Sequence, residues 1–224
     1  MLVVMLLLPA AKAQAGSCDA DTEARLSFLE TRLDDGRAGT ARWWNAWLAV
    51  FAFGALFKTT EGALEGDGSN AAADYIAAGK SVLGVADLTL RAHAGRHGAE
   101  RVRTLPKDTP DHCAARLRAA ESALSSAGLD AGARWSWKQH LSSLILNLGA
   151  GLALAEGWND PGTGWRDFAV SEASSELHLW THPTRAVGDW SEYRQRFDGI
   201  PRAADTPTFR LAAVRGGLGI DYRF

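Results

Sequence analysis

Trp43 to Phe57 reads WWNAWLAVFAFGALF, fifteen residues without a charge, and Gln139 to Ala155 reads QHLSSLILNLGAGLALA, seventeen without Asp, Glu, Lys or Arg. Runs this long are helices, since strands rarely exceed about ten residues. Both fall short of the roughly 20 residues needed to cross a bilayer core, and that favours helices buried in protein. The tryptophans pull the other way. Trp137 and Trp158 bracket the second run 21 positions apart, about 32 Å at 1.5 Å per residue, which matches the separation of two interfacial aromatic belts. Trp43, Trp44 and Trp47 gather at one end of the first run beside Arg42. A seam of small or polar residues, Ser143, Asn147, Gly151 and Ala155, recurs at four-residue spacing and suits close helix approach.

Working outward, Leu26, Leu29 and Leu33 set an amphipathic helix over Asp19–Asp35, with Gly36 as its stop. The second helix runs from Arg42 to about Leu64. Ile76, Gly79, Leu83, Ala86 and Leu90 form a narrow seam on a third, whose Asp74, Lys80 and Asp87 would be expensive in hydrocarbon. His93 to Asp108 is polar, holds Gly95, Gly98 and Pro106, and reads as a loop. Thr109-Pro110 starts a fourth helix that ends near Gly128, and Asp130 caps a fifth that runs to about Glu156. Interior glycines at 149, 151 and 157 each cost roughly 1 kcal/mol in an exposed helix and so imply close packing.

After Asn159-Asp160-Pro161-Gly162 the period changes. Ser175 to His182 (SELHLWTH) alternates as a strand does, Asp189 to Phe197 allows one or two helical turns, and Thr208 to Phe224 reads as a hairpin about Gly216-Gly217. The expected fold is mainly α: a bundle of about five helices with a small C-terminal β-hairpin or short antiparallel sheet. Three segments follow: a signal peptide at 1–15, a helical bundle at 16–158 that is membrane-embedded, membrane-associated or soluble, and a strand and turn region at 159–224 packed on the bundle.

The signal peptide rests on the apolar core Leu2–Leu8 and the small-x-small sites at Ala11, Ala13 and Ala15, although no Lys or Arg precedes that core. Export would carry Cys18 and Cys113 into an oxidising space. They then form a disulfide, remain free thiols, or leave Cys18 to be lipidated. Ala15-Gly16-Ser17 before Cys18 resembles the acylation motif of bacterial lipoproteins at its last two positions, without the expected Leu. Leu218, Ile220, Tyr222 and Phe224 alternate to an aromatic end, similar to the C-terminal assembly signal of outer-membrane β-barrels. The resemblance covers only the hairpin, because the chain lacks the eight or more alternating segments of a complete barrel.

Composition excludes some functions. Apolar residues make up 46% of the 224, enough for a core. Net charge is −2, from 24 Lys and Arg against 26 Asp and Glu, so nucleic acid is not an expected partner. No GxSxG, Ser-x-x-Lys, HExxH or phosphate-loop motif occurs. His93 with His97 and His178 with His182 are spaced four apart, giving a candidate metal set of His93, His97, His178 and His182. His178, Trp180, His182 and Arg185 form a candidate ligand wall. The expected function is an exported bacterial envelope protein of structural or interaction type, membrane-associated, with a membrane or envelope-protein partner, no cofactor and no evident catalysis. The alternative is a small periplasmic enzyme or a ligand- or metal-binding protein built on His178–Arg185.

Overall fold

A computed structural model describes residues 18–91 and 93–200, together with the backbone of 208–214 and 217–223. The expected signal peptide at 1–15 lies outside these residues, as do the side chains of the C-terminal hairpin. The protein is a mainly α bundle with seven helices among the described residues.

The first departure from expectation is α1, Ala20–Glu65, a single helix of 46 residues. Gly36 does not end it. A Cβ at Gly36 or Gly39 would meet nothing within 4 Å, Thr40 Oγ1 donates to the Gly36 carbonyl at 3.1 Å, and no proline interrupts the register. Packing on both sides of the glycines outweighs their propensity cost. Asp19 caps the start, its side chain accepting from Thr22 N at 2.9 Å.

α2, Ser69–Leu90, folds back along the second half of α1. The seam expected there does not pack as such: Gly79 is exposed, Leu83 is 57% exposed and Leu90 is 84% exposed. The buried positions are instead Ala71, Ala73, Ala78 and Leu88, and Gly84 lies so close to the Phe51 ring that a Cβ would sit 2.7 Å from it.

α3, Ala94–Arg103, replaces the expected loop. Its glycines serve packing, since a Cβ at Gly98 would stand 3.1 Å from Ala123 Cβ, while Ala99 and Val102 enter the core. α4, Pro110–Arg134, begins at Thr109 as expected and runs past Gly128. Gly128 is buried where a Cβ would press on the Ala186 carbonyl at 3.1 Å, and Asp130 lies inside the helix instead of capping the next.

α5, Trp137–Gly157, and α6, Pro161–Trp180, form an antiparallel pair. Asp160 ends the turn between them and caps α6, accepting from Thr163 N at 3.0 Å. The expected strand at Ser175–His182 is the end of α6 and the turn after it, and Glu172, Ser175 and Glu176, spaced i, i+3 and i, i+4, all reach α5. With α7, Arg185–Phe197, residues 161–197 belong to the bundle, so the boundary expected at 158 is not a change of architecture. The backbones of β1, Thr208–Val214, and β2, Gly217–Arg223, pair antiparallel with Leu211 opposite Ile220.

Two cores result. Leu26, Leu29, Leu33, Ala99, Val102, Ala120, Leu124 and Tyr193 join the first half of α1 to α3, α4 and α7. A disulfide between Cys18 and Cys113 ties the N-terminal end of this core, and a sulfur so engaged is not available for acylation. Trp43, Trp47 and Leu88 form the second core, joining α1 to α2.

The α1 second half, α2, α5 and α6 make an arm with ion pairs and hydrogen bonds between its helices. Lys80 Nζ, 14% exposed, meets Asp167 Oδ2 at 2.7 Å, and Lys58 meets Asp74 at 2.9 Å. Asn147 Nδ2 donates to Glu172 Oε2 at 2.8 Å and Ser175 Oγ at 3.1 Å. Gly151 and Gly164 bring the α5 and α6 backbones together: a Cβ at Gly151 would stand 2.8 Å from the Gly164 carbonyl oxygen. Phe53, Leu56, Val82, Leu83, Ile145 and Val170 face outward. Among the described residues no helix is long and apolar enough to cross a membrane.

Candidate functional site

The site lies where the two cores meet, at the level of Trp43. His93 precedes α3, at its N-cap position, and is buried. His178 is on α6, and His182 follows the end of that helix in a turn closed by its N–H to the Leu179 carbonyl at 3.1 Å, with its side chain buried. The three imidazoles surround the Trp43 indole, with centroids at 4.5 Å for His182, 4.9 Å for His178 and 6.0 Å for His93. The Trp43 and Trp47 indoles both donate to Thr181 Oγ1, at 3.3 and 3.0 Å, which fixes the end of α6 against α1.

Arg134, 3% exposed, closes the other side. It reaches Asp87 Oδ2 at 2.9 Å, Asp130 Oδ1 at 3.3 Å and His93 Nε2 at 3.4 Å. Four imidazole nitrogens are buried without a hydrogen-bond partner: His93 Nδ1, His178 Nε2 and both nitrogens of His182. Such groups normally find partners, because an unmet buried donor or acceptor costs about 1 to 3 kcal/mol. Burial, reinforced by the Arg134 charge, pushes His182 down to about 3 and lowers His93 in the same way. Both rings are neutral near pH 7. A cleft of about 40 Å³ opens beside His93, Asp130, His182, Arg185 and Asp189. It has room for a water or an ion and is far below the several hundred cubic ångströms of an organic-ligand pocket.

No family model, curated protein or solved structure matches the chain.

The site joins some of the residues expected from sequence and leaves out others. His93, His178 and His182 converge. His97 does not: His93 sits in non-helical backbone ahead of α3, so the i, i+4 same-face relation does not hold between them, and His97 is exposed. Trp180 is two positions from His178 and so points away on a helix; its indole donates to Glu176 Oε2 at 2.8 Å and packs edge-on against Trp135. Arg185 borders the cleft but is engaged with Asp35 at 2.7 Å and Asp189 at 3.1 Å. The four-residue wall expected from a strand therefore splits. Sequence reasoning missed Trp43, Asp87, Asp130 and Arg134 as site members, and Asp130 and Arg134, spaced i, i+4 on one helix, carried the only local signal.

Proposed function

We propose that the protein is an exported envelope protein of structural or interaction type whose four-helix arm sits in lipid. One observation carries this reading: along its middle the arm pairs charges between helices, as in Lys80–Asp167 and Lys58–Asp74, and turns large apolar side chains outward, while its exposed charges Glu65, Lys138, Glu156 and Arg166 lie within two turns of the helix ends. In water that arrangement leaves Phe53, Leu56, Val82, Leu83, Leu90, Ile145 and Val170 solvated across neighbouring helices, more apolar surface than a free globular domain ordinarily exposes. In lipid the same faces are satisfied, and Asp74, Lys80 and Asp87 bear no lone charge toward the hydrocarbon because each has a partner on another helix. The reading needs no crossing helix, since a bundle lying in one leaflet suffices.

The Cys18–Cys113 disulfide supports an oxidising compartment, in keeping with the apolar leader at Leu2–Leu8. The C-terminal hairpin completes the proposal as a small appendage to the bundle, with the outer membrane as one destination for its terminal alternation. Fractionation of the native host tests the reading. The chain is expected in the envelope, resistant to carbonate extraction, with an N-terminus at Gln14 or Gly16, and Leu56→Glu with Val82→Glu should release it. Recovery of the wild type in the carbonate-soluble fraction would overturn lipid seating.

A further inference from the structure

We propose that His93, Asp130 and His182 bind a single divalent first-row transition-metal ion. One nitrogen from each imidazole and one carboxylate oxygen lie within 4.8 Å of one another. Ligands about 2.0 to 2.2 Å from a tetrahedral ion stand roughly 3.3 to 3.6 Å apart, so closure needs a shift of about 1 Å, which side-chain rotation supplies. Two imidazoles and a carboxylate are a donor set that zinc and its neighbours accept, leaving a fourth position for water.

Two independent features favour this cluster over an ordinary packed core. Both histidines are 94% buried or nearly so, at 6% exposure each, and both carry ring nitrogens that no protein group meets. The adjoining cleft has the volume of a water or an ion. Arg134 meets the other His93 nitrogen, Nε2, at 3.4 Å, which leaves the orphaned Nδ1, 3.9 Å from Asp130 Oδ2, to take the ion. His178, whose ring packs against Trp43 and Trp47, stands outside the ligand set.

The test uses the full chain purified in detergent, stripped with chelator and then titrated with Zn²⁺ or Co²⁺. The wild type should take up one ion per chain and develop the visible absorption of four-coordinate Co²⁺. His182→Asn and Asp130→Asn should each weaken binding by about tenfold or more, while His97→Asn leaves it unchanged. Far-UV circular dichroism checks each variant. If one ligand variant loses its helices, the other decides, and wild-type stoichiometry stands by itself. Wild type without stoichiometric uptake, or a folded ligand variant that binds like wild type, overturns the assignment and leaves the orphaned nitrogens to buried water.

Discussion

The Trp43 indole lies almost parallel to the His178 imidazole, with ring centroids 4.9 Å apart and planes 19° from coplanar. This stack couples the middle of α1 to the end of α6, and the Trp43 and Trp47 bonds to Thr181 hold the same junction. Trp43→Ala should therefore cost about 3 to 5 kcal/mol, the range for truncating a large core aromatic, measured by urea unfolding. Trp43→Phe, which keeps one aromatic ring but loses the donor to Thr181 and part of the indole volume, should cost less. Equal losses would show that stacking contributes nothing.

Cys18 and Cys113 are 95 residues apart in sequence, so their bond closes a long loop of the unfolded chain. Cys18→Ser with Cys113→Ser should destabilise the protein by about 2 to 5 kcal/mol, and reductant should reproduce the loss in the wild type. Both are read as a shift in the denaturation midpoint.

Glycines along α5 should behave in opposite ways. Gly151→Leu pushes a side chain into the Gly164 carbonyl and Phe168, and should separate α5 from α6. A Cβ at Gly149 meets nothing within 4 Å, so Gly149→Ala should be neutral or stabilise by up to about 1 kcal/mol. Thermal melts in detergent compare them directly.

The inward ion pair of Lys80 and Asp167 should depend on both members. Lys80→Met leaves the buried Asp167 carboxylate without its cation and should cost about 3 to 5 kcal/mol. The double change Lys80→Met with Asp167→Leu should recover most of that loss. A double variant as unstable as the single would show that shape, and not charge, is what α2 and α6 share.

His182 and His93 give the chelator-treated protein a pH dependence with a definite sign. Both rings are lowered in the folded state, by burial first and then by Arg134, with His178 close to His182, and Asp130 and Asp87 opposing the shift at His93. An unfolded histidine takes up its proton near 6.5, whereas folded His182 does so at about 3. Between those values the unfolded chain binds more protons, so stability is fully present above about 6.5 and falls as pH drops, by at most about 1.4 kcal/mol per pH unit for each ring. Denaturation midpoints from pH 7 to pH 4.5 should follow this slope, and His182→Asn should flatten it.

Much of the helical framework was legible because spacing and capping are local. Thr109-Pro110 starts a helix where expected, and Ser143, Asn147, Gly151 and Ala155 form the packed seam of α5. The errors share one cause, which is that tertiary contacts overrode local signals. Gly36, Gly98 and Gly128 read as breaks, yet the latter two are sites of close helix approach, and Leu177-His178-Leu179 alternates while lying on α6. At the site, the histidine spacing led to His93, His178 and His182 but also to exposed His97. Arg134 and Asp87 could not be joined to them, since they come from separate helices 47 residues apart.

α1 also sets a standoff. From Ala20 to Trp43 it rises about 35 Å without a joint, and packing by α3, α4 and α7 stiffens that length. With the arm seated in lipid, the disulfide-bound end would be held as a strut at a fixed height from the bilayer, and the His93–His182 cluster would lie at its foot, where the aqueous phase begins.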